Sequence, residues 1–195
     1  MTTRRELLQL AACAAVPASM AALQPAAAAT PAALHAVIIE SSQASARAFG
    51  QRLSARGAAV LAIRDGDVTA AWLASIRPAW RNGPATVAGL TTPSALFCFE
   101  QLAWSHGLRV VFHAEHIFPA GAAVEHALQR ADRNTAIAAA SLRQAGAGWP
   151  LLLADAIAAR RPVLRGSRPG PSIAALAPAL PQGAQLLTSW IIAAA

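Results

Sequence analysis

The stretch that decides the fold is residues 35–63, which read HAVIIESSQASARAFGQRLSARGAAVLAI. Its two ends, AVIIE and AAVLAI, are continuous apolar runs of the kind found in strands buried on both faces. Between them, Phe49 and Leu53 are four residues apart and share one helical face, and Ser41 or Ser42 can cap the helix. The pattern therefore predicts two parallel strands joined by a crossover helix.

The same alternation continues along the chain. ATVAGL and LRVVFH are two further apolar runs, and we predict that they form the third and fourth strands. Trp72, Ile76 and Trp80 recur every four residues and predict the helix between the second and third strands. Thr92 can cap the next helix, and Pro93 suits its first helical position.

These units predict a single doubly wound α/β domain, with a mostly parallel sheet of about four or five strands flanked by helices. Residues 35–116 form its β-α-β-α-β-α-β core. The remainder, residues 117–195, is less regular: Gly121–Gly146 is predicted to be mainly helical and Trp149–Arg161 to form a further helix. Residues 162–184 are rich in Pro and Gly and predict an irregular connection. The run AQLLTSWIIA then predicts a last strand, placed at a sheet edge.

The N-terminal segment has a different character. TRRELL at residues 3–8, followed by an Ala-rich apolar stretch, resembles the twin-arginine export signal of bacterial proteins. Small residues at Ala26–Ala29 provide a cleavage context, so we expect a cleavable signal peptide over residues 1–29 and one mature domain over residues 30–195. The resemblance implies export to the periplasm in a folded form, often with an inserted cofactor or with a partner protein.

Two alternatives for this segment remain. Leu10-Ala11-Ala12-Cys13 has the form of a lipobox, and acylation of Cys13 would anchor the protein to a membrane by a lipid. The second alternative is that this segment forms an amphipathic first helix of the folded domain. Cleavage after Ala29 removes Cys13 and leaves Cys98 without a partner for an internal disulfide.

The composition restricts the partners. The formal net charge is +7, and all sixteen basic residues are arginines that are spread along the chain rather than grouped in a dense run. Tyrosine is absent, so no nucleic-acid surface is predicted. The closest group, Arg160-Arg161 with Arg165 and Arg168, lies in the Pro/Gly-rich stretch and predicts a solvated loop. No later stretch is long and apolar enough to predict a transmembrane segment in the mature chain.

The candidate site follows from the topology. In open α/β sheets, ligands bind outside the carboxyl ends of the strands. Gly89, late in the third strand, would allow a ligand or neighbouring backbone to approach closely. The same polar residues also suit helix caps and turns. The ligand-binding candidates at the four strand exits are Ser41, Ser42, Arg64, Asp65, Thr91, Thr92, His113, Glu115 and His116.

Motifs that would define a reaction are missing. The sequence has no G-x-S-x-G elbow, no G-x-G-x-x-G after the first strand and no G-x-x-x-x-G-K-[ST], so no catalytic residue and no cofactor are predicted. His113, Glu115 and His116 are weak metal candidates, because on an extended chain His113 and Glu115 share a side while His116 points away. Cys98 lies among apolar neighbours and is expected to pack in the core.

Two functions follow from these expectations. The first is an exported, soluble envelope protein that binds a small ligand or assists an envelope partner. The second is a hydrolase or metal-dependent enzyme that uses His113, Glu115, His116 and Asp65 at the strand carboxyl ends.

Overall fold

The structure is a computed structural model and describes residues 33–130, 137–160 and 183–194. In this part of the chain, six strands form one open sheet flanked by helices. The strands are β1 (Ala36–Glu40), β2 (Val60–Ile63), β3 (Val87–Thr91), β4 (Leu108–Phe118), β5 (Glu125–Arg130) and β6 (Gln185–Ala194). The helices are α1 (Ala44–Ser54), α2 (Thr69–Ala71), α3 (Arg77–Asn82), α4 (Pro93–Trp104), α5 (Ala139–Gln144) and α6 (Trp149–Ala158).

The strand order is β2-β1-β3-β6-β4-β5. β1 is parallel to β2 and β3, whereas β6 is antiparallel to both β3 and β4, and β5 is antiparallel to β4. The α/β class is therefore confirmed, but the prediction of a mostly parallel sheet is wrong, since three of these five pairings are antiparallel. The last strand was predicted at an edge, and it lies inside the sheet because both of its sides are paired.

Two further predictions fail in the second half of the chain. β4 continues through the predicted strand exit at His113 as far as Phe118. Gly121–Gly146 was predicted to be mainly helical, yet it contains β5, which forms a hairpin with β4. The β5 sequence EHALQR consists largely of good helix formers, and pairing with β4 overrides that weak local preference.

The core lies on both faces of the sheet. One face, here called the α1/α6 face, packs Val37, Leu90 and Ile191 against α1, α5 and α6. The other, called the α4 face, packs Ile38 and Ile192 against α2, α3 and α4. Neighbouring residues of each strand thus enter opposite cores, which explains the continuous apolar runs.

The helix termini were partly predicted. α4 begins at Pro93 after Thr92, whose side chain accepts a hydrogen bond from the amide of Ala95. The prediction that Ser41 or Ser42 caps α1 is wrong, because the N-cap is Gln43, without a side-chain bond. Between α2 and α3 the helix is π-helical over Trp72–Ile76, around the predicted apolar stripe.

Some expectations fall on other parts of the chain. The predicted signal peptide at residues 1–29 lies outside the described residues, as does most of the Pro/Gly-rich connection. Arg160, which was predicted in a solvated loop, is buried at the end of the segment that follows α6.

Candidate functional site

Three of the four predicted strand exits meet at one place, here called the exit ledge: residues 40–42, 64–67 and 91–94. Gly66 joins two of them, because a Cβ at this position would lie 2.9 Å from Ser94 Oγ and 3.1 Å from Thr92 Oγ1. Glu40 joins the first to the second through hydrogen bonds to the amides of Asp65 and Gly66. The parallel half of the sheet therefore brings these loops together, as its topology requires.

Glu40 is the anchor of the exit ledge. Its carboxylate is buried and accepts hydrogen bonds from the amides of Asp65 and Gly66 and from Ser42 Oγ, each at 3.1 Å. Asp65 and Gly66 have φ values of +53° and +75°, and such consecutive left-handed residues turn their amides toward one anion. The chain's own glutamate thus fills this anion-binding turn, which explains how a buried carboxylate is tolerated.

The candidate hydroxyls of the exit ledge divide into two groups. Ser41 Oγ donates to the carbonyl of Ile63 at 2.8 Å, and Thr91 Oγ1 accepts from Trp190 Nε1 at 2.9 Å, so both serve the fold. Thr92 Oγ1 contacts Ser94 Oγ at 3.0 Å near the surface. Ser42 is exposed as well.

Three charged side chains of the exit ledge, Arg64, Asp65 and Asp67, border these hydroxyls. Arg64 and Asp65 are both exposed at the end of β2. A left-handed backbone conformation costs a non-glycine residue about 1 kcal/mol, and here the hydrogen bond from the Asp65 amide to Glu40 offsets it. The exit ledge therefore offers solvent a hydroxyl surface with the guanidinium of Arg64 and the carboxylates of Asp65 and Asp67.

The fourth group of candidates does not lie at the exit ledge. It consists of His113, Glu115 and His116. These residues lie inside β4, where burial alternates along the strand. His116 lies on the α1/α6 face, whereas His113 and Glu115 occupy the opposite face. Within residues 33–130, 137–160 and 183–194, no group of three or more His, Cys, Asp or Glu side chains could hold a metal ion.

His116 instead belongs to a buried group that the sequence analysis missed, here called the histidine cluster: His116, His126, Ser189 and Trp149. The Nδ1 atoms of His116 and His126 lie 2.8 Å apart, and His116 Nε2 lies 2.8 Å from Ser189 Oγ. The Trp149 ring stacks on His116 with centroids 4.3 Å apart. Four elements, β4, β5, β6 and α6, each contribute one member.

Burial keeps these imidazoles neutral. The pKa of His116 is well below its ordinary value because the ring is buried, and His126 and His113 lower it further. Burial also lowers the pKa of His126 to about 4, with a contribution from the positive charge of Arg143. At neutral pH the Nδ1 atom of one histidine donates a hydrogen bond and that of the other accepts it. Together with the bond between His116 and Ser189, this bond connects Ser189 to His126 on the edge strand β5. Ser189 is fully buried, so its hydroxyl does not reach a substrate.

His113 has a different environment on the α4 face. Its Nε2 is buried and has no hydrogen-bond partner among the described residues. Burial lowers the pKa of His113, Glu115 opposes this shift, and Arg130 adds to it. Glu115 accepts a hydrogen bond from Gln129 Nε2 at 2.8 Å. Cys98 is half-buried on α4 rather than fully packed as expected.

The close approach that Gly89 was expected to permit is an internal one. A Cβ at this position would overlap the indole of Trp190 on the neighbouring strand, with Trp190 Nε1 only 2.9 Å away. Gly89 therefore accommodates a core side chain. A sequence signal could have found the histidine cluster, since Pro119 and Gly121 mark a turn that would place His126 opposite His116.

Comparison with protein-family models, curated proteins and solved structures found no match to this chain. Among the residues that the structure describes, no helix combines the length and apolar character needed to cross a bilayer.

Proposed function

We propose that the chain is an exported, soluble protein of the bacterial cell envelope that binds a small polar ligand at the exit ledge and acts as an accessory protein rather than as a catalyst. One observation carries this proposal. The side chains best suited to catalysis, Ser189, His116 and Glu40, are buried and hydrogen-bonded to other parts of the protein. Exposed polar groups remain at the exit ledge, which suits binding.

The ligand chemistry follows from the groups that reach solvent. Ser42 and Ser94 offer hydroxyls, and Arg64 offers a guanidinium. A guanidinium recognises a carboxylate or phosphate by paired hydrogen bonds, while hydroxyls accept or donate. A small molecule that carries one anionic group and several hydroxyl or amide groups fits this surface.

Native mass spectrometry of the protein isolated from its own envelope tests the ligand. We expect a bound small molecule that is lost in the Arg64→Ala variant and retained in the Arg81→Ala variant, whose exposed arginine lies on α3 away from the exit ledge. A protein that carries no small molecule, or equal loss in the two variants, would contradict the proposal.

The periplasmic location rests on the resemblance of residues 3–8 to the twin-arginine signal. Replacement of both Arg4 and Arg5 by Lys should retain the protein in the cytoplasm, as followed by cell fractionation. If the protein is instead lipid-anchored through Cys13, Cys13→Ala should release it from the membrane fraction. Unchanged location in the double arginine variant would refute export by this route.

A hydrolase or metal-dependent enzyme is a second candidate, favoured by one observation. The buried Nε2 of His113 has no partner among the described residues, and Glu115 lies two residues away on the same face. A site of this kind predicts that Zn²⁺ or Cu²⁺ raises the melting temperature of the protein but not of His113→Ala. No change in the unmodified protein would exclude this metal site.

A further inference from the structure

The outer edge of β2 is the feature that carries a further inference. β2 is the end strand of the sheet, and β1 is its partner on the inner side. The carbonyls of Ala59 and Ile63 accept hydrogen bonds from β1 and its following residue. Backbone groups alternate in direction along a strand, so Val60 and Ala62 direct their N–H and C=O groups away from the sheet.

A groove runs beside this edge on the α1/α6 face. It encloses about 280 Å³ and is lined by Ile39, Arg47, Gly50, Gln51, Ser54 and Val60. Helix α1 lies close to the sheet here, since a Cβ at Gly50 would lie 3.0 Å from a methyl group of Ile39. Val60 and Ala62 pair with Val37 and Ile39, so their side chains point to the same face as the groove.

β2 carries none of the side chains that commonly protect an edge strand against pairing, and its short length of four residues is the feature that limits such pairing. Natural edge strands are commonly blocked by Lys, Pro, an inward charge or a bulge. The β2 sequence is VLAI, which contains none of these residues, and its pairing with β1 is regular. Among the described residues, no strand occupies the outer side of β2.

We propose that the outer edge of β2 binds an extended segment of a partner protein, which adds a seventh strand to the sheet. Backbone hydrogen bonds to Val60 and Ala62 hold the segment, and one apolar side chain enters the groove. An acidic side chain two residues further along the segment points to the same face and meets Arg47.

The charge of the groove favours this partner over a second copy of the chain. Among the described residues that line the groove, Arg47 carries the one charge, and this charge is positive. Pairing of β2 with another β2 would supply only the uncharged sequence VLAI and would bring a second Arg47 nearby. Arg47 donates a hydrogen bond to the carbonyl of Ser41 at 2.7 Å, and a partner segment with a carboxylate supplies a charge opposite to that of its guanidinium.

This interaction uses the side edge of the sheet and does not depend on the ligand proposed for the exit ledge. Disruption of either can therefore be measured while the other is intact: Ser94→Ala, which alters the exit ledge after β3, should not alter peptide binding at β2.

Amide hydrogen exchange of the isotope-labelled full chain tests the proposal. The probes are the capped peptide Thr-Val-Thr-Glu-Thr and a control with Lys in place of Glu. We expect the amides of Val60 and Ala62 to exchange rapidly in the free protein and at least about fivefold more slowly with the acidic peptide. The Lys peptide should give a smaller effect.

Ala62→Pro and Ala62→Val form a matched pair. Proline removes a donor that points away from β1 and is tolerated on edge strands, so it should abolish peptide protection while the β1–β2 bonds persist. Valine keeps the donor and should retain protection.

Three outcomes would overturn the proposal. Slow exchange of both amides in the free protein at low concentration would mean that the chain covers its own edge. Protection that rises with protein concentration without peptide would identify a second copy as the occupant. Equal protection by the acidic and basic peptides, or none by either, would exclude an acidic extended segment as the partner of β2.

Discussion

The two halves of the sheet use polar residues in different ways. In the parallel half, β2-β1-β3, polar side chains follow the strands and bind backbone groups of neighbouring loops, as Glu40 and Ser41 do. In the antiparallel half, β6-β4-β5, polar side chains lie within the strands and bind one another, as His116, His126 and Ser189 do. The two halves thus use these polar residues for different connections, at the strand exits in the first half and between the strands in the second.

This difference bears on function. The polar residues of the parallel half remain at the surface of the exit ledge, where Ser42 and Arg64 are exposed. In the antiparallel half, His116 and Ser189 are fully buried, and Trp149 of α6 stacks on the His116 ring. Binding is therefore expected in the first half and structural support in the second.

The largest effect is expected where the two halves join, at Gly89 of β3 and Trp190 of β6. Gly89→Ala forces a methyl group into the indole and should lower the free energy of unfolding by about 3 kcal/mol, measured by urea denaturation. Gly148→Ala is the control: its Cβ would meet no atom within 4 Å, and a change within about 0.5 kcal/mol is expected. Equal costs for the two variants would contradict this packing.

His116→Ala tests the antiparallel half. It leaves Ser189 and His126 without their shared partner and opens a void beneath Trp149, so a loss of about 2–3 kcal/mol is expected in urea denaturation. His35→Ala, which alters an exposed ring, should change the stability by less than about 0.5 kcal/mol. A loss for His116→Ala no larger than that of the control would show that the histidine cluster does not support the fold.

Glu40→Gln tests the parallel half. The glutamine amide retains one oxygen but places an NH₂ group where the second carboxylate oxygen accepted a hydrogen bond. This NH₂ group then faces the backbone N–H of Asp65 or Gly66, and neither group can accept. We expect a loss of about 1–2 kcal/mol, together with altered amide chemical shifts at Asp65 and Gly66. Glu125→Gln, on the exposed end of β5, is the control and should leave both measurements unchanged. Unaltered shifts at Asp65 and Gly66 would contradict the Glu40 anchor.

The smallest effect is a pH dependence confined to the antiparallel half. Because the pKa of His126 is lowered from 6.5 to about 4, its contribution to stability is complete above pH 6.5 and is lost as the pH falls toward about 4. The half-exposed ring keeps part of its hydration, so this loss is about 1 kcal/mol rather than the full linkage value. His126→Asn should reduce the fall of the urea midpoint across this range without abolishing it, because the pKa values of His116 and His113 are lowered as well. An unchanged pH profile in that variant would remove His126 as the cause.

Much of the parallel half could be predicted from the sequence, because local patterns determine it. The runs AVIIE and VAGL, the cap at Thr92 and the recurrence of Trp72, Ile76 and Trp80 each depend on neighbours within a few residues. Three strand exits accordingly meet as expected. The burial of Glu40 could not be predicted, because it depends on the left-handed conformation of Asp65, twenty-five residues later.

The antiparallel half could not be predicted in the same way. An apolar run such as LLTSWIIA is equally compatible with a parallel, antiparallel, central or edge position. The partners of Ser189 and Trp190 lie 73 and 99 residues earlier in the chain, and no local pattern encodes that pairing. The contact of Ser189 with His116 was missed for the same reason, whereas the pairing of His116 with His126 lies within one hairpin.

The position of β6 has a consequence for biosynthesis. Residues 185–194 pair with β3 on one side and with β4 on the other. Until this segment leaves the ribosome, the strands β2-β1-β3 and the hairpin β4-β5 are not joined in one sheet. Contacts over such distances form slowly, since a long loop must close before they do. The nascent chain therefore exposes the unpaired sides of β3 and β4 until residues 185–194 have been made, and chaperones can bind there during that interval.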